Sequence, residues 1–306
     1  MPVFNAMPYL AASVESVLSC GLPLELVAVD DGSTDGSSKV LARMAQADAR
    51  ITLLRHDANE GLVSSLLDGV VASAAPLIAR LDADDVCRSG RLEHQYAAML
   101  DDPDLVLCWT DYERIGLADE PLGIVRSPRS HEAAVLALSN GNAILHSSVM
   151  MRRSALDLVG TYSAEAYPAE DYDLWCRLLS VGRGRGLPIV GVGYRVNPAG
   201  ISQRNIELQA EAAANVRQTQ RQRLGRPGVE PRGVLRRLGD VRRRAGVAAD
   251  EARRHSNATD EVYREAARQA FLVVAKLPKL VRWMMVISRL PRAMPVLLRG
   301  RGIARH

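Results

Sequence analysis

"LELVAVDDGSTDG", residues 24–36, joins a short apolar, β-branched run to two adjacent carboxylates and a turn. Leu24 to Val29 reads as a strand of a parallel sheet, and Gly32-Ser33-Thr34-Asp35-Gly36 is turn chemistry. Asp30 and Asp31 therefore stand where a strand ends, and in open α/β sheets ligands bind at the carboxyl ends of strands. Capping has an equal claim, because Asp31 or Asp35 can cap the helix that begins near Ser37. On these residues alone both readings stay open.

Outward from this unit, strand-like and helix-like runs alternate. A helix is expected from Ser37 to about Ala47, a strand over Ile51–Leu54, a helix from about Leu62 to Ala74 and a strand over Leu77–Leu81. That alternation implies βαβ units and a parallel sheet. Further strands are expected over Leu105–Thr110 and Ser148–Met151, with helices over His131–Ser139 and Tyr172–Val181. Ahead of the opening motif, Pro2-Val3-Phe4-Asn5 reads as loop chemistry at a strand exit, followed by a helix with Leu10, Val14, Val17 and Leu18 on one face. No strand precedes that loop, so the first strand is expected to be truncated and the start to lie inside a longer reading frame. From about Ile206 the composition turns to Ala, Gln, Glu and Arg at helical spacing, and Gly225-Arg226-Pro227-Gly228 with Pro231 marks a hinge. The expected division is a domain over 1–204 and a basic, mainly helical extension over 205–306.

Charge divides in the same sense. Residues 1–216 carry 17 basic against 28 acidic side chains, whereas residues 217–306 carry 22 against 7. The four cysteines, Cys20, Cys87, Cys108 and Cys176, are far apart with no CxxC spacing, which argues against zinc or redox work and fits a reducing cytosol. No secretion signal and no run of about 18 apolar residues is legible, so a cytoplasmic location is expected, peripheral at the inner face of the plasma membrane if the tail docks there.

Two further acidic clusters follow apolar runs or open a helix. Leu81-Asp82-Ala83-Asp84-Asp85 places carboxylates at i and i+2 beyond a strand, where they can converge on one hard cation such as Mg²⁺ or Mn²⁺. The competing reading is an acidic solvated turn. Ala169-Glu170-Asp171-Tyr172-Asp173-Leu174-Trp175 opens a helix, where the macrodipole alone favours acids. Departure of a nucleoside diphosphate needs a cation on the leaving group and a carboxylate on the opposite face to activate the nucleophile. One base without an enzyme nucleophile predicts inversion. Because successive helical side chains lie about 100° apart, only one of Glu170 and Asp171 is expected to reach an acceptor.

Taken in order, "MPVFNA", "VDDGSTDG", "NEGL", "LDADD" and "AEDYDLW" resemble the inverting family 2 glycosyltransferases of the GT-A fold, over residues 1 to 204. The resemblance implies a Rossmann-like, mostly parallel sheet flanked by helices. It implies a nucleotide-sugar site of Pro2, Phe4, Asp30, Asp31, Asp82, Ala83 and Asp84, with Asp30 on the base and Asp35 left to capping. Asp82 would lie near the ribose and Asp84 on a Mg²⁺ or Mn²⁺ ion at the diphosphate, while Asp85 orients their loop. Asp171 would be the general base, with Glu170 beside it. Many relatives carry Arg-Asn where this chain has Leu66-Leu67, which puts nucleotide contacts there in doubt. Relatives often show a His after a Tyr-Arg pair; here Tyr194-Arg195 is followed by Asn197, a weaker ligand for Mn²⁺ than imidazole. His146 matches a His-Pro-Ser/Thr segment and is either a satisfied buried histidine or an acceptor or phosphate contact. Trp175 is core or an acceptor platform, with core preferred.

In the tail, Arg236, Arg237, Arg242, Arg243 and Arg244 precede an apolar stretch interrupted by Lys279, Arg282, Arg289 and Arg292. A helix on an anionic membrane surface, with Trp283 at the headgroups, suits this pattern. Its apolar content and sparse aromatics argue against nucleic acid. Packing on the catalytic domain or on a partner subunit is the third reading. The functional expectation is transfer of a sugar from a nucleotide donor, UDP-linked, to a glycan or lipid-linked acceptor in envelope or exopolysaccharide synthesis. The rivals are a metal-dependent nucleotidyltransferase and a catalytically degenerate scaffold of the same fold.

Overall fold

The computed structural model describes residues 1–197 and 206–223, which fall within one compact unit, Met1–Gly228. The expectations for the basic tail lie outside the described residues beyond residue 223. In chain order the elements are β1 (Pro2–Val3), α1 (Leu10–Leu18), β2 (Leu26–Asp30), α2 (Ser37–Ala47), β3 (Ile51–Arg55), α3 (Leu62–Ala72), β4 (Leu77–Ala79), β5 (Val86–Cys87), α4 (Arg91–Asp101), β6 (Leu105–Ile115), β7 (Pro121–Val125), α5 (His131–Leu138), β8 (Val149–Arg152), α6 (Arg153–Val159), α7 (Glu170–Leu178), β9 (Arg183–Arg195) and α8 (Ile206–Arg223). No helix among the described residues is long and apolar enough to cross a membrane.

The strand of the opening motif is buried along its whole length, as its unbroken apolar run requires of a strand covered on both faces. It is the centre of a parallel sheet ordered β1-β2-β3, with Val29 opposite both Pro2 and Leu54. Pro2 and Val3, read from sequence as loop, are thus a two-residue strand, and Val3 is buried at its end. The correction has a simple cause: so short a run carries no periodicity to read. Helix α1 buries Leu10, Val14 and Val17 as expected, and adds Ser13.

A second, mixed sheet is ordered β4-β8-β6-β9-β5, with β7 on β6. Only β6 and β9 pair in parallel there; β4–β8, β6–β8, β5–β9 and β6–β7 are antiparallel. The βαβ alternation therefore governs β1 to β3, and β4 joins the other sheet. Along β6, Leu107 and Trp109 face one core and Cys108 the other, as alternate side chains of a strand must. Helix α4, not foreseen from sequence, contributes a buried polar stitch. Arg91 donates to the carbonyls of Arg80 (2.8 Å) and Val149 (3.2 Å), and Gln95 donates to those of Cys108 and Ser148. The effect is to fix the exit of β4 against β6 and β8, where the acidic loop begins. Helix α8 packs on α7, and Val216 joins the core.

The turn after β2 is set by Gly32, whose φ of +70° lies in the left-handed region. A Cβ there would stand 2.6 Å from the carbonyl carbon of Ala58, a backbone atom that cannot rotate away. Gly32→Ala is therefore expected to lower the unfolding free energy by about 1–3 kcal/mol, from strained backbone and the pushed-back loop. Chemical denaturation of the two proteins checks this, and equal midpoints would show that the turn has slack.

Candidate active site

The three aspartates of the opening motif are each committed to a different loop. Asp35 accepts from the backbone of Ser37 (3.0 Å) and of Met7 (2.9 Å), so its expected capping role extends to tying the β1–α1 loop down. Asp31 accepts from the backbone N–H groups of Glu60 (2.8 Å) and Gly61 (2.9 Å) and pairs with His56 Nδ1 at 2.8 Å. Asp30 is wholly buried, accepts from Ser33 N at 3.1 Å and pairs with the Ser38 hydroxyl. Neither acid of the pair faces open solvent. Their carboxylates satisfy backbone donors that these tight turns cannot pair internally. Phe4 is half exposed on the neighbouring loop, which Asn5 laces to the motif through Thr34 N at 2.8 Å.

His56 also meets Asp68 through Nε2 at 2.9 Å. Hydrogen bonding to Asp31 raises its pKa, as expected of an imidazolium donating from both nitrogens. His56, Glu60 and Asp68 are three ligand-capable side chains with atoms within 4.8 Å of one another, two of them, His56 and Asp68, joined by this contact.

The charge of Arg80, a residue unmarked in the sequence reading, acts on both the second and the third acidic cluster. Its guanidinium is 5% exposed, forks onto both oxygens of Asp82 and donates to Ser147 Oγ at 2.8 Å. Ser147 closes the triangle by donating to Asp82 at 3.1 Å and accepting from the Asp82 N–H. Asp85 is buried and accepts from Arg195 N at 2.8 Å, which pins the loop to β9 in the orienting role expected of it. Arg195, expected on phosphate or acceptor, is instead spent on the carbonyls of Asp84 and Gly116 and on Asp119, with its guanidinium 4.1 Å above the Tyr9 ring. Ala83 is buried between the two acids of its motif.

At the start of α7, Asp171 accepts from Asn142 Nδ2 at 2.8 Å and from Tyr172 N at 2.6 Å. Glu170 is 4% exposed, and its Oε2, like Asp85 Oδ2, is buried with no hydrogen-bond partner among the described residues. Burial pushes Glu170 up to about 7, with the Asp171 charge adding to it. Burial likewise lifts Asp171 to about 6 and, together with the charge of Asp82, Asp84 to about 6. Arg80 opposes all three shifts without cancelling them. The site thus holds more buried carboxylate than its arginines neutralise. The donor set is all oxygen and includes two orphaned carboxylate atoms, Glu170 Oε2 and Asp85 Oδ2, chemistry that suits a hard divalent cation.

Of the remaining expected contacts, His146 is buried, bonded through Nε2 to the Tyr162 hydroxyl at 2.9 Å, and held neutral by burial and by Arg80. It is the satisfied core histidine of the two readings. Trp175 is fully buried beside it, in the core. Leu66 is buried and Leu67 packs on the same core. Asn197 follows β9 and is half-buried. Asn142 and Ser147 gave no sequence signal. Arg80 did: a lone cation ending an apolar run, two residues before Asp82, shares a face with it in an extended chain.

Comparison with known proteins is consistent with this arrangement. Residues 1–159 match Glycosyl transferase family 2. The succinoglycan biosynthesis protein ExoU of Rhizobium meliloti is 29% identical over 222 residues, covering 67% of this chain and 64% of its own. The chain spans about 63% of the length of other curated relatives it matches. Among solved structures, S. aureus TarS 1-349 in complex with UDP-GlcNAc aligns with a TM-score of 0.57 at 17% identity, over 70% of this chain and 63% of that one. The mannosyltransferase PcManGT of Pyrobaculum calidifontis, in complex with GDP-Man and Mn2+, aligns with a TM-score of 0.55 at 17% identity, over 89% and 83%. At those identities the two structures speak for the fold alone. The family match over more than half of the chain, on a fold of two abutting sheets with acids at the strand ends, places this protein in glycosyl transferase family 2.

Proposed function

We propose that this chain is a metal-dependent, inverting glycosyltransferase that moves a sugar from a nucleoside diphosphate donor, UDP-linked, to a glycan or lipid-linked acceptor in envelope or exopolysaccharide synthesis. The observation that carries the reading is the electrostatic coupling of Asp82 and Asp84 with Glu170 and Asp171 in the field of the buried Arg80, which forks onto Asp82. Similarity to ExoU supports the polysaccharide setting, and the nucleotide-sugars carried by the structural neighbours, UDP-GlcNAc in TarS and GDP-Man in PcManGT, accord with a nucleoside diphosphate donor.

In this reading Asp84 would hold a divalent cation, which when bound would supply charge to neutralise the departing diphosphate. Arg80 holds Asp82 and the loop beneath it in place. Pro2 and Phe4 border the nucleotide, and Asp30 lies behind Ser33 and Ser38. Asp171 takes the proton of the acceptor hydroxyl at a carboxylate oxygen while that hydroxyl oxygen attacks the anomeric carbon. Asn142 fixes the rotamer of that carboxylate. Glu170, raised to about 7, keeps the adjacent position from adding a second full charge.

Asp171→Asn is expected to leave donor affinity and melting nearly unchanged while slowing transfer by roughly 10² to 10⁴, the usual worth of a positioned base. Glu170→Gln should cost less. Nucleotide release measured over a panel of UDP-sugars checks both, and full activity in both variants would remove catalysis from this motif. Release of pyrophosphate in place of UDP would mark the nucleotidyltransferase alternative.

A second expectation concerns pH. The raised carboxyls bind protons more tightly in the folded protein than in the unfolded chain, so their ionisation between about pH 4 and 7 subtracts stability, which a cation offsets. The rise in melting temperature given by Mn²⁺ should therefore be small at pH 5, larger at pH 7.5, and lost in Asp84→Asn. A rise independent of pH and of Asp84 would place the ion elsewhere.

A further inference from the structure

Helix α8 lies beyond the residues matched by the family, yet it is bound into the same unit. Val216 sits in the core beside α7, and Gln209 Nε2 donates to the Pro168 carbonyl at 3.4 Å. Between α8, the start of α7 and the loop after α5 lies a cavity of about 310 Å³, lined by Asn142, Ala169, Asp171, Gln209, Ala210 and Ala213 among others. A larger cavity, about 420 Å³, opens by Asp104, Arg152 and Arg183 and touches none of the candidate residues. We infer that the smaller cavity receives one neutral, hydroxyl-bearing ring of the acceptor, and that Gln209, Ala210 and Ala213 of α8 decide which ring fits. The inference rests on the reading of Asp171 as the base.

Size is the first reason. Small-molecule sites span roughly 300 to 1,000 Å³, so this cavity is at the small end and suits a single ring. The polar atoms give the second. Asn142 spends an amide N–H on Asp171 and its oxygen on Ile144 N at 3.3 Å, while Gln209 spends an N–H on Pro168. Each amide has a second N–H, so the wall still offers donors from Asn142 and Gln209 beside acceptors on the Asp171 carboxylate and the Gln209 oxygen. A hydroxyl group, which both donates and accepts, matches such a mixed lining. A phosphate or carboxylate brings only acceptors and a charge that Asp171 repels.

The apolar part gives the third reason. Ala210 and Ala213 are three residues apart and share a helix face, so their methyl groups form one small wall against which the C–H face of a ring can lie. Any larger side chain at either position would take its volume directly from the cavity. Acceptor choice could then change through α8 alone, with the donor and metal residues of residues 1–197 untouched.

Ala210→Trp tests this, because Ala210 is exposed and its replacement leaves the core as it is. Saturation-transfer NMR with methyl glucoside, methyl galactoside, methyl mannoside and methyl N-acetylglucosaminide reads the cavity, and calorimetry with UDP and Mn²⁺ reads the donor side. The wild type should bind at least one glycoside, and Ala210→Trp should weaken that binding by about tenfold or more with UDP affinity and melting unchanged. Equal glycoside binding in both proteins, or none by a wild type that binds UDP, overturns the inference. Failure of the wild type to bind UDP at all overturns instead the donor reading beneath it.

Discussion

Arg80 carries a buried charge among carboxylates drawn from two distant parts of the chain, and the arrangement of the site depends on it. Its guanidinium forks onto Asp82, its carbonyl is gripped by Arg91, and Ser147 at the edge of β8 completes the geometry. A buried cation is tolerable only where partners repay the loss of water, and here the repayment is the acidic loop itself. The attraction that holds Arg80 in the interior thus also holds Asp82 at the strand exit. Its reach to Glu170 and Asp171 restrains their ionisation shifts without abolishing them. What is left is a cluster of carboxyls with negative charge in reserve, an electrostatic condition that favours a divalent cation.

The opening motif solves a different problem by the same chemistry. A strand that stops at a sheet edge needs its following loops to hold a fixed shape without ladder hydrogen bonds. Asp30, Asp31 and Asp35 supply acceptors for the β2–α2 turn, the loop before α3 and the loop before α1, respectively. Gly32 lets the turn pass within contact of Ala58. A carboxylate is suited to this because it offers several lone pairs and no donor of its own to satisfy. The cost is that acids committed to loops are less available to a ligand, which is why the pair does not stand open at the surface.

Much of this was legible in the sequence because period and turn chemistry are local. The strand around Val27, the helices beginning at Ser37, Leu62 and His131, and the acidic loop at Asp82 follow from apolar runs and their punctuation. What escaped was long-range. Helix α4 has a mixed face that buries Arg91 and Gln95, so its polar side reads as solvent-exposed until β6 and β8 are present to accept those bonds. The antiparallel pairing of β4 with β8 joins Ile78 to Met151, a separation no window of sequence spans. Arg195 looked free for phosphate because its partners, Gly116 and Asp119, come from the β6–β7 turn. The preference for core at Trp175 agrees with its full burial, since a wide apolar surface on a short helix has few other places to go, whereas His146, left even between core and contact by its sequence, is decided by Tyr162 and Trp175 packing around it.

Between the two acids that open α7, burial and contacts separate the roles. A base must be ionised at working pH and must reach the proton it removes. Glu170 is the more buried by surface exposure, leaves one oxygen without a partner, and is lifted to about 7, so near neutrality much of it stays protonated. Asp171 is lifted only to about 6, is held in a fixed rotamer by Asn142 and the Tyr172 N–H, and lines the cavity beside α8. Placing two charges on neighbouring residues costs energy, and the stronger lift on Glu170 favours Asp171 as the one that ionises first. In the proposed reading the proton retained by Glu170 is then part of what would let Asp171 act as the base, even though Glu170 is not among the residues lining the cavity.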